Sequence, residues 1–268
     1  MSDAVFQIVL DRLAPLTLET VCPCLENEPF ADPAIFERTE ALFRGCRARR
    51  LEFTTNAVLL DAVKQKRLAG LLEGKSHEIR VIFHGTRKEQ YADVMGMPFG
   101  ESLENVVGLL RLAEEADLRV AIHCAGKGVT GSLFQDYHCP ERDFTRFWED
   151  IFRKRDIRKL PELRYRPILD RAGSALHRAG TCLLVPVRAD LTALHCPRVL
   201  EHLHVLHTGE LALCCMDYGG ETVFGDLTRE DLPSIFAGYA WTGLADCARG
   251  LRPSPPDFLC KRCLYPGG

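Results

Sequence analysis

Apolar and polar positions alternate along this chain with two different periods, and the periods predict its elements. Short apolar runs predict strands at about residues 16–21, 50–55, 78–83 and 118–123. Helical spacing predicts helices between the strands, the longest of them over residues 102–116. Strands and helices that alternate over short connections are typical of a parallel sheet with helices on its outside. The pattern therefore predicts an α/β fold, with a sheet that is open or curled into part of a barrel.

The pattern loosens after residue 131. Residues 140–165 mix charged and aromatic positions, and we expect one exposed helix there. Near the C-terminus, Pro253-Ser254-Pro255-Pro256 predicts a stiff spacer in front of the last two cysteines.

Polar residues stand at the ends of four predicted strands, where parallel α/β folds place their chemistry. The residues are Glu26-Asn27-Glu28-Pro29, Thr54-Thr55-Asn56, His84-Gly85 and His123-Cys124. A structural role is the alternative for the first three groups. The carboxylates can cap the next helix, Asn56 can form a turn, and His84 can end its strand.

Four cysteines near the C-terminus fall in a regular frame, which reads C-x12-G-x4-C and then C-x2-C. The glycine, Gly209, stands where a hairpin must reverse, so we expect Cys196 and Cys214 to lie side by side on paired strands. The closing pair is Cys260 and Cys263, at a spacing that lets two thiolates reach one metal centre. Four sulfur ligands of this kind suit a structural zinc or an iron–sulfur cluster.

Twelve cysteines in a chain without a secretion signal need another explanation than disulfides. Cys215 competes with Cys214 for the frame, but the x4 spacing selects Cys214, and alternation along a strand points its neighbour to the other face. Cys247 is a reserve ligand. Cys22 and Cys24 share one face of a strand, and we interpret them as buried thiols.

Charge and hydropathy argue against two classes of partner. Lys and Arg number 34 against 37 Asp and Glu, a net charge of −3, so we expect no binding to nucleic acid or to an anionic membrane. The sequence shows no apolar run of membrane-spanning length and no signal-peptide pattern. We therefore expect a cytoplasmic protein with reduced thiols.

Together these motifs resemble those of the radical S-adenosylmethionine enzymes that carry a C-terminal SPASM or twitch domain. Glu26-Asn27-Glu28-Pro29 is similar to the family's Gly-Gly-Glu-Pro segment, and Thr55-Asn56 to its strand-ending Thr-Asn-Gly. His84-Gly85 resembles the end of a later strand, and Arg171 lies in a short Arg-Ala-Gly motif. The cysteine frame resembles the twitch arrangement for one auxiliary [4Fe–4S] cluster.

The resemblance implies a partial (β/α) barrel of parallel strands followed by a small cysteine-rich hairpin domain. We expect a truncated barrel over residues 1–175, a connector over 176–195 and a twitch- or SPASM-like domain over 196–268. The implied cofactors are the auxiliary [4Fe–4S] cluster, with zinc as the alternative, and S-adenosylmethionine. The implied metal ligands are Cys196, Cys214, Cys260 and Cys263, and the implied S-adenosylmethionine contacts are Glu26, Asn27, Glu28, Pro29, Thr55, Asn56, His84 and Arg171.

The chain also departs from the family. The C-x3-C-x2-C loop that binds the catalytic cluster does not occur in the sequence, so we expect these residues not to start radicals by themselves. Either the true start lies further upstream or the protein is a natural remnant. Glu26 and Asn27 replace the two glycines of Gly-Gly-Glu-Pro, and they add bulk and charge where backbone approaches the ligand.

Two kinds of function stay open at this point. The resemblance implies a maturase or oxidoreductase of a peptide or small metabolite, provided that a longer chain or a partner supplies the catalytic cluster. The alternative is a non-catalytic protein, either an iron–sulfur protein that serves a partner protein or carries electrons, or a four-cysteine zinc module. The residues do not choose the substrate.

Overall fold

The structure is a computed structural model, and it describes residues 1–127, 139–167, 172, 188–194 and 196–263. The chain divides into two compact units. The sheet unit is Leu16–Ile168, and the cysteine unit combines Met1–Pro15 with Leu169–Gly268. Helix α1, Asp3–Leu13, thus belongs with the C-terminal residues, whereas the sequence analysis grouped it with the barrel. The expected boundaries at residues 175 and 195 lie outside the described residues and stay predictions.

Within the described residues, a parallel sheet in the order β1-β2-β3-β4-β5 forms the centre of the sheet unit. Each strand pairs in parallel with the next one along the chain, which confirms the predicted α/β fold. The strands are β1 Thr20–Val21, β2 Arg50–Thr55, β3 Ser76–Ile82, β4 Val120–Lys127 and β5 Glu162–Pro167, and the helices are a 3-10 turn at Pro29–Ala31, α2 Ile35–Gly45, α3 Ala62–Leu72, α4 Lys88–Met95, α5 Phe99–Glu115 and α6 Glu141–Arg155.

The two faces of this sheet differ, because apolar and charged residues alternate along its strands. Leu51, Phe53, Ile79 and Val81 are fully buried and belong to one apolar core with the helices. The opposite face is charged, and Glu78 lies deepest in it, with 2% of its side chain exposed. Its neighbours on that face are Arg50, Glu52, Arg80, His123 and Arg164.

The region after residue 139 differs from the sequence prediction. Residues 140–165 form helix α6 and then most of strand β5, not one exposed helix. The aromatic residues of α6 recur at helical spacing, so they make one apolar stripe that packs on the sheet. Phe144 and Trp148 are therefore fully buried, and the Trp148 ring centroid lies 5.1 Å from that of Phe83.

A three-stranded antiparallel sheet, β6-β7-β8, organises the described part of the cysteine unit. Its first hairpin reverses at Gly209, whose φ of 95° favours glycine, as the sequence predicted. Gly225 is required for space, because a Cβ there would lie 2.4 Å from Cγ2 of Ile235. Helix α1 joins this unit through Arg12, whose Nε donates to the carbonyl oxygen of Leu227 over 3.3 Å. The elements are α7 Arg198–Glu201, β6 His204–Val205, β7 Glu210–Ala212, β8 Val223–Asp226, α8 Leu232–Ala237, α9 Tyr239–Ala248 and α10 Leu259–Arg262.

Candidate functional site

The four cysteines of the frame line one small cavity in the cysteine unit. Cys214 and Cys260 are buried, and Cys196 and Cys263 are partly buried. The cavity measures about 20 Å³, and apolar side chains complete its wall. These are Leu194, Val199, Met216 and Leu259. The fold thus brings three distant segments of the sequence together at one apolar, cysteine-lined point.

A different local element places each cysteine. Cys196 directly precedes Pro197, the N-cap residue of helix α7. The expectation that Cys196 lies on a strand paired with Cys214 is therefore wrong. Cys214 follows strand β7 after one residue. Cys260 lies in the one-turn helix α10 and Cys263 caps its end, so the spacing of three residues keeps both on one side of the turn.

Arg188 fixes the closing pair from outside the frame. Its backbone nitrogen donates to the carbonyl oxygen of Lys261 over 3.0 Å. Its Nη1 donates to the carbonyl oxygen of Cys260 over 3.3 Å and to that of Cys263. These bonds satisfy carbonyl groups that a short helix leaves without partners. No pattern in the sequence pointed to this role, because Arg188 stands in no motif and is far from Cys260 along the chain.

Hydrogen bonds and burial act on the cysteine sulfurs in different ways. The hydrogen bond with Cys215, followed by burial, raises the pKa of Cys214. The backbone nitrogen of Met216 donates to Sγ of Cys214 over 3.4 Å and opposes this effect. Burial raises the pKa of Cys260 to about 12. The hydrogen bond from Cys214, followed by the hydrogen bond from His204 and the nearby charge of Arg198, lowers the pKa of Cys215 against the effect of burial. Arg198 Nη1 donates to Sγ of Cys215 over 3.1 Å, so Cys215 has a separate partner.

Glu28 joins two loops at the carboxyl edge of the parallel sheet. Its Oε1 accepts hydrogen bonds from Oγ1 of Thr55 over 2.7 Å and from the backbone nitrogen of Phe30 over 3.3 Å. Its Oε2 accepts from the backbone nitrogen of Asn56 over 2.8 Å. Burial raises the pKa of Glu28, although these hydrogen bonds oppose the effect. The carboxylate therefore holds the end of β2 in place, and a nearby cation would stabilise its ionised form.

Asn56 and His84 end their strands with side-chain hydrogen bonds. Oδ1 of Asn56 accepts from the backbone nitrogen of Val58 over 3.0 Å. This hydrogen bond closes a turn, which is the structural role that the sequence analysis gave as the alternative for Asn56. Nδ1 of His84 accepts from the backbone nitrogen of Ala125 over 2.9 Å, so the ring proton belongs on Nε2. Burial lowers the pKa of His84 to about 4, and the ring is therefore neutral at pH 7.

The remaining expected contacts to S-adenosylmethionine fall into three groups. Glu26 and Asn27 are exposed on the loop before Glu28. Pro29 is buried at the start of the 3-10 turn. Arg171 lies outside the described residues, and its role stays a prediction.

Two residues of the same loop do not match their interpretation as buried thiols. Cys22 is exposed and Cys24 is partly buried. The reason is that β1 ends at Val21, so both cysteines belong to the loop that follows the strand.

The sequence analysis missed the ion pairs around Glu78. Nη1 and Nη2 of Arg164 donate to its two carboxylate oxygens over 2.8 and 3.0 Å, and Nε of Arg80 donates over 2.6 Å. These bonds, those of Arg164 foremost, lower the pKa of Glu78 to about 2. Burial, and then Arg164, lower the pKa of His123 to about 4. Charged residues at every second position of the strands were the signal that could have revealed this face.

Comparison with protein families gives a match over the C-terminal residues. Residues 196–264 match the SPASM family, an iron–sulfur cluster-binding domain. This segment contains all four cysteines of the frame. The chain gives no match among the curated proteins. Within the described residues, no helix combines the length and the apolar character that spanning a membrane requires.

Solved structures with the same fold come from radical S-adenosylmethionine enzymes. BtrN in complex with AdoMet and 2-DOIA matches at a TM-score of 0.57 and 14% identity, over 99% of this chain and 81% of that chain. SuiB of Streptococcus suis matches at 0.56 and 15% identity, over 97% of this chain and 64% of that one. SuiB bound to the precursor peptide SuiA matches at 0.51 and 12% identity, over 91% and 59%. The chain thus has the fold of these enzymes and a C-terminal segment that matches the SPASM family, which confirms the resemblance.

Proposed function

We propose that this chain is an iron–sulfur protein that takes part in the S-adenosylmethionine-dependent modification of a peptide or small metabolite. The cysteine unit would hold one auxiliary [4Fe–4S] cluster through Cys196, Cys214, Cys260 and Cys263. The sheet unit would bind S-adenosylmethionine at its carboxyl edge, next to Glu28. The C-x3-C-x2-C motif does not occur in these 268 residues, so the proposal assigns the catalytic cluster to a longer chain or to a partner.

One observation carries this proposal. The four cysteines that the sequence frame selects line the same cavity, and the segment that contains them matches an iron–sulfur cluster-binding domain. Soft thiolate ligands in an apolar surrounding suit an iron–sulfur cluster. Bound there, the cluster would supply one-electron redox chemistry.

The family match favours a cluster over zinc. Residues 196–264 match an iron–sulfur cluster-binding domain and contain all four cysteines of the frame. The donor set alone suits either group, because both take four thiolate ligands.

The residues of the chain would act on the cofactors in two ways. Arg188 would hold the backbone of the closing cysteine pair in place through its hydrogen bond to the carbonyl oxygen of Cys260. The backbone amide of Met216 would donate to the sulfur of Cys214 and so orient that ligand. Glu28 would receive the amino group of S-adenosylmethionine, because its Oε2 accepts one hydrogen bond from a described residue and has a second acceptor site. A cation at that place would stabilise a carboxylate whose pKa burial has raised.

The substrate class rests on the solved structures of the same fold. One of them was solved with AdoMet and 2-DOIA, and another with the precursor peptide SuiA. These two ligands support a small metabolite or a peptide as substrate. The identities of 12% and 14% do not choose between the two.

A second candidate function is a non-catalytic iron–sulfur protein that serves a partner enzyme. One observation favours it, namely that Glu28 and Asn56 are already engaged by groups of their own chain. Glu28 accepts three hydrogen bonds from the two loops, and Oδ1 of Asn56 accepts one in its own turn. On this account the sheet unit is a scaffold and binds no S-adenosylmethionine.

Calorimetric titration of the iron-loaded protein with S-adenosylmethionine distinguishes these two functions. We expect saturable binding to the wild type and at least tenfold weaker binding to Glu28→Gln, since a hydrogen bond to a buried charge contributes about 1.5–3 kcal/mol. Glu73→Gln is the matched control, because it removes the same charge from an exposed position of the sheet unit, at the end of helix α3 and outside the expected contacts to S-adenosylmethionine. We expect its affinity to change by less than about threefold.

The control measurement is the thermal unfolding of both variants, which must stay close to that of the wild type. Equal weakening by the two substitutions would overturn the role of Glu28. An iron-loaded wild type without any affinity for S-adenosylmethionine would overturn the first function and support the second.

A further inference from the structure

Cys22 and Cys24 form a close pair of thiols that the proposed function does not use. They flank Pro23 in the loop after β1, and their Sγ atoms lie 3.5 Å apart, within hydrogen-bonding distance. Closing a disulfide of roughly 2.05 Å would bring the sulfurs together by about 1.5 Å.

The two thiols differ in access and in hydrogen bonding. Cys22 is exposed to solvent, whereas Cys24 is partly buried and its Sγ lies 3.6 Å from the carbonyl oxygen of Thr54. The hydrogen bond from Cys24 is the largest effect on Cys22 and lowers its pKa, and the charge of Arg80 acts in the same direction. Burial and the charge of Glu52 oppose the effect. Cys22 therefore has the access and the stabilisation of an attacking thiolate, and Cys24 has the position of a resolving thiol.

A second thiol pair in the same unit lacks this access. Cys124 and Cys139 interact with each other, but they are only 1% and 2% exposed. A disulfide molecule in solvent cannot reach either sulfur while the fold is intact. The exposure of Cys22 is therefore the feature that separates the two pairs.

We propose that Cys22 and Cys24 are a redox-active dithiol that exchanges with disulfides of the glutathione class. The thiolate of Cys22 attacks a disulfide R–S–S–R, forms the mixed disulfide Cys22–S–S–R and releases one RS⁻. Cys24 then loses its proton and attacks the Cys22 sulfur, which closes the Cys22–Cys24 disulfide and releases the second RS⁻. Two electrons pass from the two cysteines to R–S–S–R, and the two cysteine protons end on the two RS⁻ groups.

The short ring makes this disulfide reversible. Only Pro23 separates the two cysteines, and a disulfide closed under geometric strain is more readily reduced. Excess reduced glutathione should therefore return the pair to thiols. The cycle needs neither S-adenosylmethionine nor a cluster, so it stands or falls independently of the proposed function.

Oxidised glutathione applied to the full chain without oxygen tests the proposal. After the reaction, free thiols are alkylated and the protein is digested with trypsin under non-reducing conditions. The peptide between Arg12 and Arg38 contains Cys22 and Cys24 and no other cysteine. We expect more than roughly half of this peptide to escape alkylation and to be lighter by two hydrogen atoms, and reduced glutathione to reverse the change.

Single substitutions assign the two steps. Cys24→Ser should trap the mixed disulfide of Cys22 with glutathione, because the resolving thiol is gone. Cys22→Ser should collect at least about tenfold less glutathione on Cys24, since Cys24 is less accessible. Cys46, which is fully buried, is the internal control and should stay reduced.

Two results would overturn the proposal. One is a Cys22–Cys24 peptide that keeps two free thiols under these conditions. The other is oxidation of Cys46 to the same extent, which would show that unfolded protein, not this loop, reacts.

Discussion

Cys263→Ala should purify without the iron that the wild type carries, with a fall from about four irons per chain to fewer than one. Cys263 caps helix α10 and is only partly buried, so its loss removes a ligand without opening a large hole in the core. A [4Fe–4S] cluster that loses one of its four thiolates is exposed to solvent at one iron and breaks down. The measurement is the iron and acid-labile sulfide content of protein prepared without oxygen.

Cys247→Ala is the matched control for this loss. Cys247 belongs to the same apolar cluster as Cys260 and is buried, but its Sγ donates to the carbonyl oxygen of Pro253 over 3.5 Å, away from the cavity. We expect this variant to keep its iron. Loss of iron from Cys247→Ala, with retention in Cys263→Ala, would show that the frame selects the wrong ligand.

Glu78→Leu should lower the free energy of unfolding by about 3 kcal/mol, because it leaves three partly buried guanidinium groups without their buried counter-charge. Arg164 and Arg80 both donate to this carboxylate, and Arg50 lies 3.3 Å from its Oε2. Glu162→Gln is the control, since Glu162 pairs with the same Arg164 but is 54% exposed. We expect less than about 1 kcal/mol from the control.

Acid should reduce the difference in unfolding free energy between the wild type and Glu78→Leu. The pKa of Glu78 falls from 4.5 to about 2 on folding, so its ionised form stabilises the folded state. The stabilisation of the folded state by ionised Glu78 is complete above pH 4.5 and is lost as the pH falls through 2. Denaturant unfolding at pH 7 and pH 3 measures it. Trp241→Phe as background leaves Trp148, buried in the sheet unit, to report the transition. A difference that does not shrink at pH 3 would contradict the role of the charge.

Local pattern was enough to predict the parallel sheet. Strand β2 begins and ends at the predicted residues, because charged and apolar positions alternate along its whole length. The C-terminal hairpin followed from Gly209, since a turn with positive φ requires glycine there. In each case the information lies within a few residues of the element it specifies.

Contacts between residues that lie far apart along the chain could not be predicted from the sequence. The aromatic stripe of α6 was read as exposed because its charged residues outnumber its apolar ones, yet the sheet covers Phe144 and Trp148. Arg188 joins Cys260 only through the folded chain. Nothing in the local pattern records which helix covers a sheet face or which distant arginine reaches a carbonyl group.

The candidate site was predicted in part. Sequence spacing selected the four cysteines that line the cavity, although Cys196 reaches it from the start of a helix and not from a strand. The loop residues Glu28 and Asn56 were also selected correctly as residues of the sheet edge. Their hydrogen bonds to each other's loops could not be foreseen, because they depend on the register between β1 and β2.

The metal content of the wild-type protein, purified without oxygen, decides whether the four cysteines of the frame hold an iron–sulfur cluster. We expect about four irons and four sulfides per chain, no zinc, and the broad visible absorption of an iron–sulfur cluster. One zinc per chain with no iron and no visible absorption would contradict the account. The four cysteines would then serve only to fold the cysteine unit.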